Sequence, residues 1–252
     1  MTLPVTTPPP APPSPARVLA HRALAAGAGL AIIGFARALT GVRALLAPGA
    51  SLQARPTLYF ANHASHGDFV LLWASLPPGL RAATRPVAGE DYWLASRLRR
   101  FIGHDVFRAL MIRRQPADGG AHAEGNPVAQ MAEALDHGHS LIMFPEGTRN
   151  TTDEVLLPLK SGLYHLARQC PEARLVPVWI DNLKRVLPKG ELLPVPLACS
   201  VCFGAPLALQ AGEGKADFLQ RAREAMLALR PAHAWQDDAP AAPPAITPQA
   251  AP

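Results

Sequence analysis

The sequence predicts an α/β fold, a largely parallel central sheet flanked by helices, and three features predict it. Between residues 57 and 229, short apolar runs of strand length alternate with longer stretches whose apolar residues recur at helical spacing. Strand and helix signals mostly follow one another in turn, as in parallel sheets whose crossovers are helices. Residues 1–16 and 239–252 are mostly proline and alanine and read as disordered tails, which leaves one domain-sized segment, 55–230, behind an amino-terminal helical segment, 17–48.

The first element is a helix over 18–47, ended by Pro48 and Gly49. Its 14 uncharged residues between Arg22 and Arg37 span about 21 Å, short of a bilayer core of ~30 Å. Arg22, Arg37, Thr40 and Arg43 fall on one arc, and Leu24, Ala31, Phe35, Ala38, Val42, Leu45 and Leu46 fall opposite. That layout suits an amphipathic helix in a membrane interface with its arginines towards lipid phosphates, or an ordinary helix docked on a core.

The remaining elements follow in order. Strands are expected at 57–61 (TLYFA), 81–87, 107–112, 140–144, 175–180 and 197–203. Helices are expected at 69–76 (FVLLWASL), 91–101, 126–138, 160–169 and 216–229, the third opened by Asn126 and Pro127 and closed by Gly138.

Lys plus Arg number 24 against 19 Asp plus Glu, for a net charge of +5, which favours anionic partners. Nucleic acid is not expected, because the aromatics are sparse and do not interleave with the arginines. Three cysteines exclude a disulfide framework; Cys199 and Cys202 read as buried thiols of a strand, which fits a reducing cytoplasm. No secretory signal is evident in the first sixteen residues.

Two strings carry chemistry, and each follows a predicted strand, where α/β folds gather their sites. In Asn62-His63-Ala64-Ser65-His66-Gly67-Asp68, a carboxylate on one ring nitrogen of His63 leaves the other nitrogen as a base. The pairing needs a turn, which Ser65 as N-cap and Asp68 three residues on can supply; the competing reading is plain helix capping. His63 and His66 form H-x-x-H, but no third ligand has convincing spacing, so no metal is expected. In Phe144-Pro145-Glu146-Gly147-Thr148-Arg149, glycine permits close backbone approach, threonine adds a hydroxyl and arginine grips phosphate with two prongs. A polar surface turn is the competing reading. Arg97, Arg99, Arg100, Arg108, Arg113 and Arg114 form a basic cluster opposed by Asp105. Arg114 ends an apolar strand, whereas Arg97, Arg99 and Arg100 fit a solvated face or a contact with anionic headgroups. There is no G-x-S-x-G elbow, Walker loop or dinucleotide fingerprint.

At these residues the chain resembles the glycerolipid acyltransferases, the family of 1-acylglycerol-3-phosphate (lysophosphatidate) acyltransferases. The N-H-x-x-x-x-D block is matched by Asn62, His63 and Asp68, and F-P-E-G-T-R by residues 144–149. A G-x-x-F-I-x-R block looks like residues 108–114, with Arg108 for the glycine, Met111 for the phenylalanine, and Ile112 and Arg114 matching. An apolar block around a proline looks like residues 175–180, with Pro177 on the acyl-donor side.

The resemblance implies that His63, oriented by Asp68, removes the proton from the acceptor hydroxyl, which attacks the thioester of acyl-CoA or acyl carrier protein. It implies that Arg114, Glu146, Gly147, Thr148 and Arg149 hold the acceptor phosphate, and that no metal or other cofactor is needed. It further implies phosphatidate synthesis in phospholipid biosynthesis at an anionic membrane surface, on the cytoplasmic face of the cell's inner membrane. Another lysophospholipid or lyso-aminolipid acceptor is the alternative. A membrane-binding protein with an idle site is disfavoured by the complete N-H-x-x-x-x-D.

Overall fold

The computed structural model describes residues 14–112, 126–181 and 198–231. Arg113, Arg114 and most of both predicted tails lie outside the described residues.

Helix α1, Pro15–Thr40, opens with proline in its first turn and stops at Gly41, whose left-handed φ of 51° ends it. The predicted helix over 18–47 is therefore too long. Its last residues form β1, Arg43–Leu46, an edge strand parallel to β7, Ser200–Phe203. Alanine and leucine favour helix locally, but strand pairing with a distant segment overrides that preference.

The other strands are β2 Thr57–Ala61, β3 Thr84–Gly89, β4 Leu110–Ile112, β5 Ser140–Met143 and β6 Arg174–Asp181. The sheet has seven strands in the order β1-β7-β6-β2-β5-β3-β4. All neighbours are parallel except β6 and β7. Both faces of the central strands are buried, and their side chains alternate between two cores. Tyr59, Ala61, Ile142, Val176, Val178 and Phe203 face one core; Leu58, Phe60, Leu141, Met143, Leu175 and Trp179 face the other.

The first core is covered by α1 and α2, Asp68–Ser75. The second is covered by α6, Pro127–Asp136, α7, Gly162–Gln169, and α8, Lys215–Leu227. Helix α3, Pro78–Ala83, leads into β3, so the strand expected at 81–87 starts later. The helix expected over 91–101 is broken into α4, Glu90–Trp93, α5, Arg97–Arg100, and a π-helical turn, Phe101–Val106.

Helix α1 is long and apolar enough to cross a membrane, judged by length and composition alone. One stripe of it is buried: Ala25, Gly29, Ile33 and Thr40. Arg37 Nη2 donates to the Ala74 carbonyl at 2.8 Å, so the expected basic arc turns partly towards the protein. The opposite arc, with Leu24, Ala31, Phe35 and Ala38, is exposed together with Leu19 and Leu30.

Candidate active site

Strands β2 and β5 are parallel neighbours in the middle of the sheet, with Phe60 in register with Met143. Counting three residues on from each reaches His63 and Glu146. The two strings thus leave adjacent strand ends at the same level, which is why residues eighty apart in sequence meet here.

His63 is fixed on every side except one. Its Nδ1 lies 2.9 Å from Asp68 Oδ2. The same carboxylate oxygen accepts the backbone N–H of Ala64 at 2.7 Å and of Ser65 at 2.8 Å. Asp68 is the first residue of α2 and is buried, so the helix amino-terminus and two loop amides hold the charge that faces the ring. The N-cap is Gly67 rather than the expected Ser65, yet the turn does fold His63 onto Asp68.

The second string grips the backbone of His63. Glu146 Oε1 accepts the His63 N–H at 2.6 Å, and Asn150 N–H donates to the His63 carbonyl at 2.7 Å. Phe144 stacks on the imidazole, with ring centres 4.2 Å apart and an interplanar angle of 17°. Beneath the histidine, the Asn62 side chain bonds both backbone groups of Ile180, donating to the carbonyl at 3.0 Å and accepting the N–H at 2.7 Å. With Nδ1 on Asp68, Nε2 is the nitrogen left to face the cavity.

That cavity, of about 850 Å³, is lined by both strings: His63 and His66 from the first, Phe144, Gly147, Thr148 and Arg149 from the second. Phe69, Val87, Trp93, Ile112, Met131 and Met143 supply apolar wall. Gly147 has a left-handed φ of 72°, which the turn needs glycine to adopt, and a Cβ there would crowd the Lys160 stem at 3.3 Å from Cγ. The His66 pKa is lowered, first by burial and then by the positive charge of Arg149.

Lys160 also lines the cavity, just ahead of α7, its backbone N–H held by the Pro145 carbonyl at 2.7 Å. The sequence reading did not name it. The available signal was a lone basic residue immediately before a helix start, which is a weak one.

Two expected site residues stand elsewhere. Glu146 is 1% exposed and does not line the cavity. Both carboxylate oxygens are taken by backbone amides, His63 on one and Leu157 at 2.9 Å on the other. Burial raises its pKa against these hydrogen bonds. A buried carboxylate committed to two amides is no ligand for an anion. Pro177 is buried in β6 beside Gly204, whose N–H bonds its carbonyl at 2.9 Å, and it does not border the cavity either. Arg114 lies outside the described residues, two positions beyond the cavity-lining Ile112. Among the described residues, no group of three His, Cys, Asp or Glu side chains is placed to hold a metal.

A family model described as Acyltransferase matches residues 48–181, which contain both strings. The 1-acyl-sn-glycerol-3-phosphate acyltransferase of Limnanthes douglasii is 29% identical over 170 residues, covering 63% of this chain and 53% of the relative. The enzyme of that name from Saccharomyces cerevisiae is 28% identical over 141 residues, covering 52% and 41%. The chain spans about half the length of the curated relatives it matches. The crystal structure of the 1-acyl-sn-glycerophosphate (LPA) acyltransferase PlsC from Thermotoga maritima superposes with a TM-score of 0.59. The superposition covers 84% of this chain and 81% of that one at 19% identity, a likeness of fold.

Proposed function

The chain belongs to the acyltransferase family, and from that premise we propose that it transfers an acyl group from a thioester to the free hydroxyl of 1-acylglycerol-3-phosphate, yielding phosphatidate. The observation that carries the reading is that His63, held by Asp68, lines the same cavity as Thr148, Arg149 and Lys160. A small phosphorylated alcohol in that cavity then meets both a base and a cationic clamp.

In this mechanism His63 Nε2 takes the proton of the acceptor hydroxyl while Nδ1–H donates to Asp68, which stabilises the imidazolium as it forms. The hydroxyl oxygen attacks the thioester carbonyl. The tetrahedral adduct collapses, the C–S bond breaks, and the leaving thiolate takes the proton back from His63. The products are an ester and a free thiol, with no acyl-enzyme. Arg149, Lys160 and the Thr148 hydroxyl bind the phosphate, with Gly147 allowing the close turn, and Arg114 is proposed as a further phosphate ligand. Glu146 serves as a positioning residue, setting the His63 backbone and the start of the phosphate loop against each other.

Acyl-CoA and acyl carrier protein are the donor classes that suit this chemistry, and neither donor brings a need for a metal or other cofactor. The exposed apolar arc of α1 supports association with a membrane from which a lysolipid is drawn; the net charge of +5 suits an anionic leaflet, proposed to be the cytoplasmic one.

The test is thiol release and phosphatidate formation by the purified chain, with either donor and a panel of lysolipids. Turnover with lysophosphatidate and little with the phosphate-free monoacylglycerol is expected. Equal turnover with both would refute the phosphate clamp, and no turnover with any acceptor would refute the activity.

A further inference from the structure

Residues 94–100, immediately after the cavity-lining Trp93, are exposed at every position. Their sequence, Leu-Ala-Ser-Arg-Leu-Arg-Arg, holds three arginines and no acid; Asp91, which lines the cavity, is the exposed acid closest before them. Leu94 is 45% exposed and Leu98 67% exposed. The elbow is ordered rather than ragged, because Ser96 caps α5 by accepting the Arg99 N–H at 3.2 Å.

One ring contact and one neighbour in the chain fix where the elbow lies. Phe101, which follows α5, meets the ring of His21 edge-on at 5.6 Å, so α1 runs alongside. Leu24 is one turn from His21 on the same side of α1, and it is exposed. At the other end, Trp93, the residue immediately before the elbow, lines the cavity. The elbow thus lies between the exposed apolar arc of α1 and the mouth of the cavity.

We propose that residues 94–100 are a second membrane contact, which inserts Leu94 and Leu98 at the headgroup boundary of an anionic bilayer while Arg97 and Arg100 engage lipid phosphates. The surface fits a membrane because outward leucines alternate with cations and continue the apolar arc of a neighbouring helix. An acidic protein would need the cations but would leave the leucines in water. With α1, the elbow gives two lines of contact, which fixes the tilt of the domain and sets the cavity mouth against the leaflet. The inference rests on the proposed use of a lipid acceptor for its purpose, but not for its test.

The test is sedimentation with vesicles of phosphatidylcholine alone and of phosphatidylcholine mixed with phosphatidylglycerol. The full chain is compared with Leu94→Ser/Leu98→Ser and with Arg97→Gln/Arg100→Gln, all with unchanged melting temperature. Each double variant is expected to lower partition onto the anionic vesicles by at least about tenfold, and the arginine variant is expected to lose most of the salt dependence. Turnover of a short-chain, water-soluble lysophosphatidate should stay at the parent level. Unchanged partition of both variants overturns the proposal. A fall in turnover of the soluble acceptor overturns it as well, since the elbow would then shape the cavity. Unchanged partition with slower turnover of a carrier-protein-bound donor would make the elbow a protein-docking site instead. Partition is read without catalysis, so a failure of the acyltransferase reading shows separately, as an inactive parent.

Discussion

At the scale of single residues, the second string divides its labour. Glu146 turns inward and holds the backbone of His63, Phe144 stacks on its ring at the cavity wall, and Gly147, Thr148 and Arg149 open to the cavity, while the N–H of Asn150, just past the string, holds the His63 carbonyl. Glu146→Gln is expected to lower kcat by roughly 10–100-fold, because a base misplaced by a fraction of an ångström loses its geometry. The KM for the acceptor should stay constant, and Glu146→Asp should not rescue, since the shorter side chain cannot span both amides. A raised KM with unchanged kcat would instead make Glu146 a substrate ligand. Arg149→Ala and Lys160→Ala are each expected to raise the KM for lysophosphatidate by about tenfold or more, the worth of a charge-assisted hydrogen bond. A phosphate-free acceptor should be indifferent to both changes. The pairing of His63 with Asp68 was legible in the sequence because a short spacing and a capping turn make it a local event. The inward side chain of Glu146 was not legible, because a string of letters does not say which side chains point into the protein. Lys160 was missed because it reaches the site only through the fold.

At the scale of elements, local preference served where the partner was local. Helices α2, α6, α7 and α8 were expected within two residues or so of where they lie, because each is a run of helical length and composition, and α6 carries its own cap at Asn126 and Pro127. Strand β1 was read as helix because its Arg-Ala-Leu-Leu favours helix, and only β7, over 150 residues away, makes it a strand. The stretch over 91–101 has helical composition but breaks at Ser96, which caps a new turn instead of continuing the old one. Helix α1 has two apolar faces with different duties, and this yields a paired prediction. Ile33→Ala, on the buried stripe, is expected to destabilise the fold by about 2–4 kcal/mol, measured by denaturant unfolding. Leu30→Gln/Phe35→Gln, on the exposed arc, is expected to leave stability within ~0.5 kcal/mol and to lower vesicle binding. The reverse pattern would mean that the wrong face has been assigned to the core.

At the scale of the whole molecule, the parallel sheet was legible because alternating strand and helix signals admit few other architectures, and the sheet in turn brings the two strings together. The antiparallel join of β6 and β7 was not, since pairing direction is set by chain path rather than by composition. The buried interior also makes a global prediction. Burial raises the pKa of Cys199 to about 11 from 9.0, helped by Asp181 and Asp68. It also raises those of Cys170, Cys202 and Tyr59. A group whose pKa is raised by folding contributes stability that is complete below its unfolded value and lost as pH rises through the folded one. For Cys199 that window runs from about pH 9 to about 11. Melting temperature should therefore hold to pH 8 and fall across the window, with a smaller fall in Cys199→Ala; equal falls in the two proteins would contradict the assignment. The wider account stands on His63 acting as the base in a cavity that also holds the acceptor phosphate. Its most direct test is acyl transfer to lysophosphatidate by His63→Ala, with melting temperature and vesicle binding matched to the parent. A loss of about 10²–10⁴-fold in kcat is predicted, and turnover within a few-fold of the parent would contradict it.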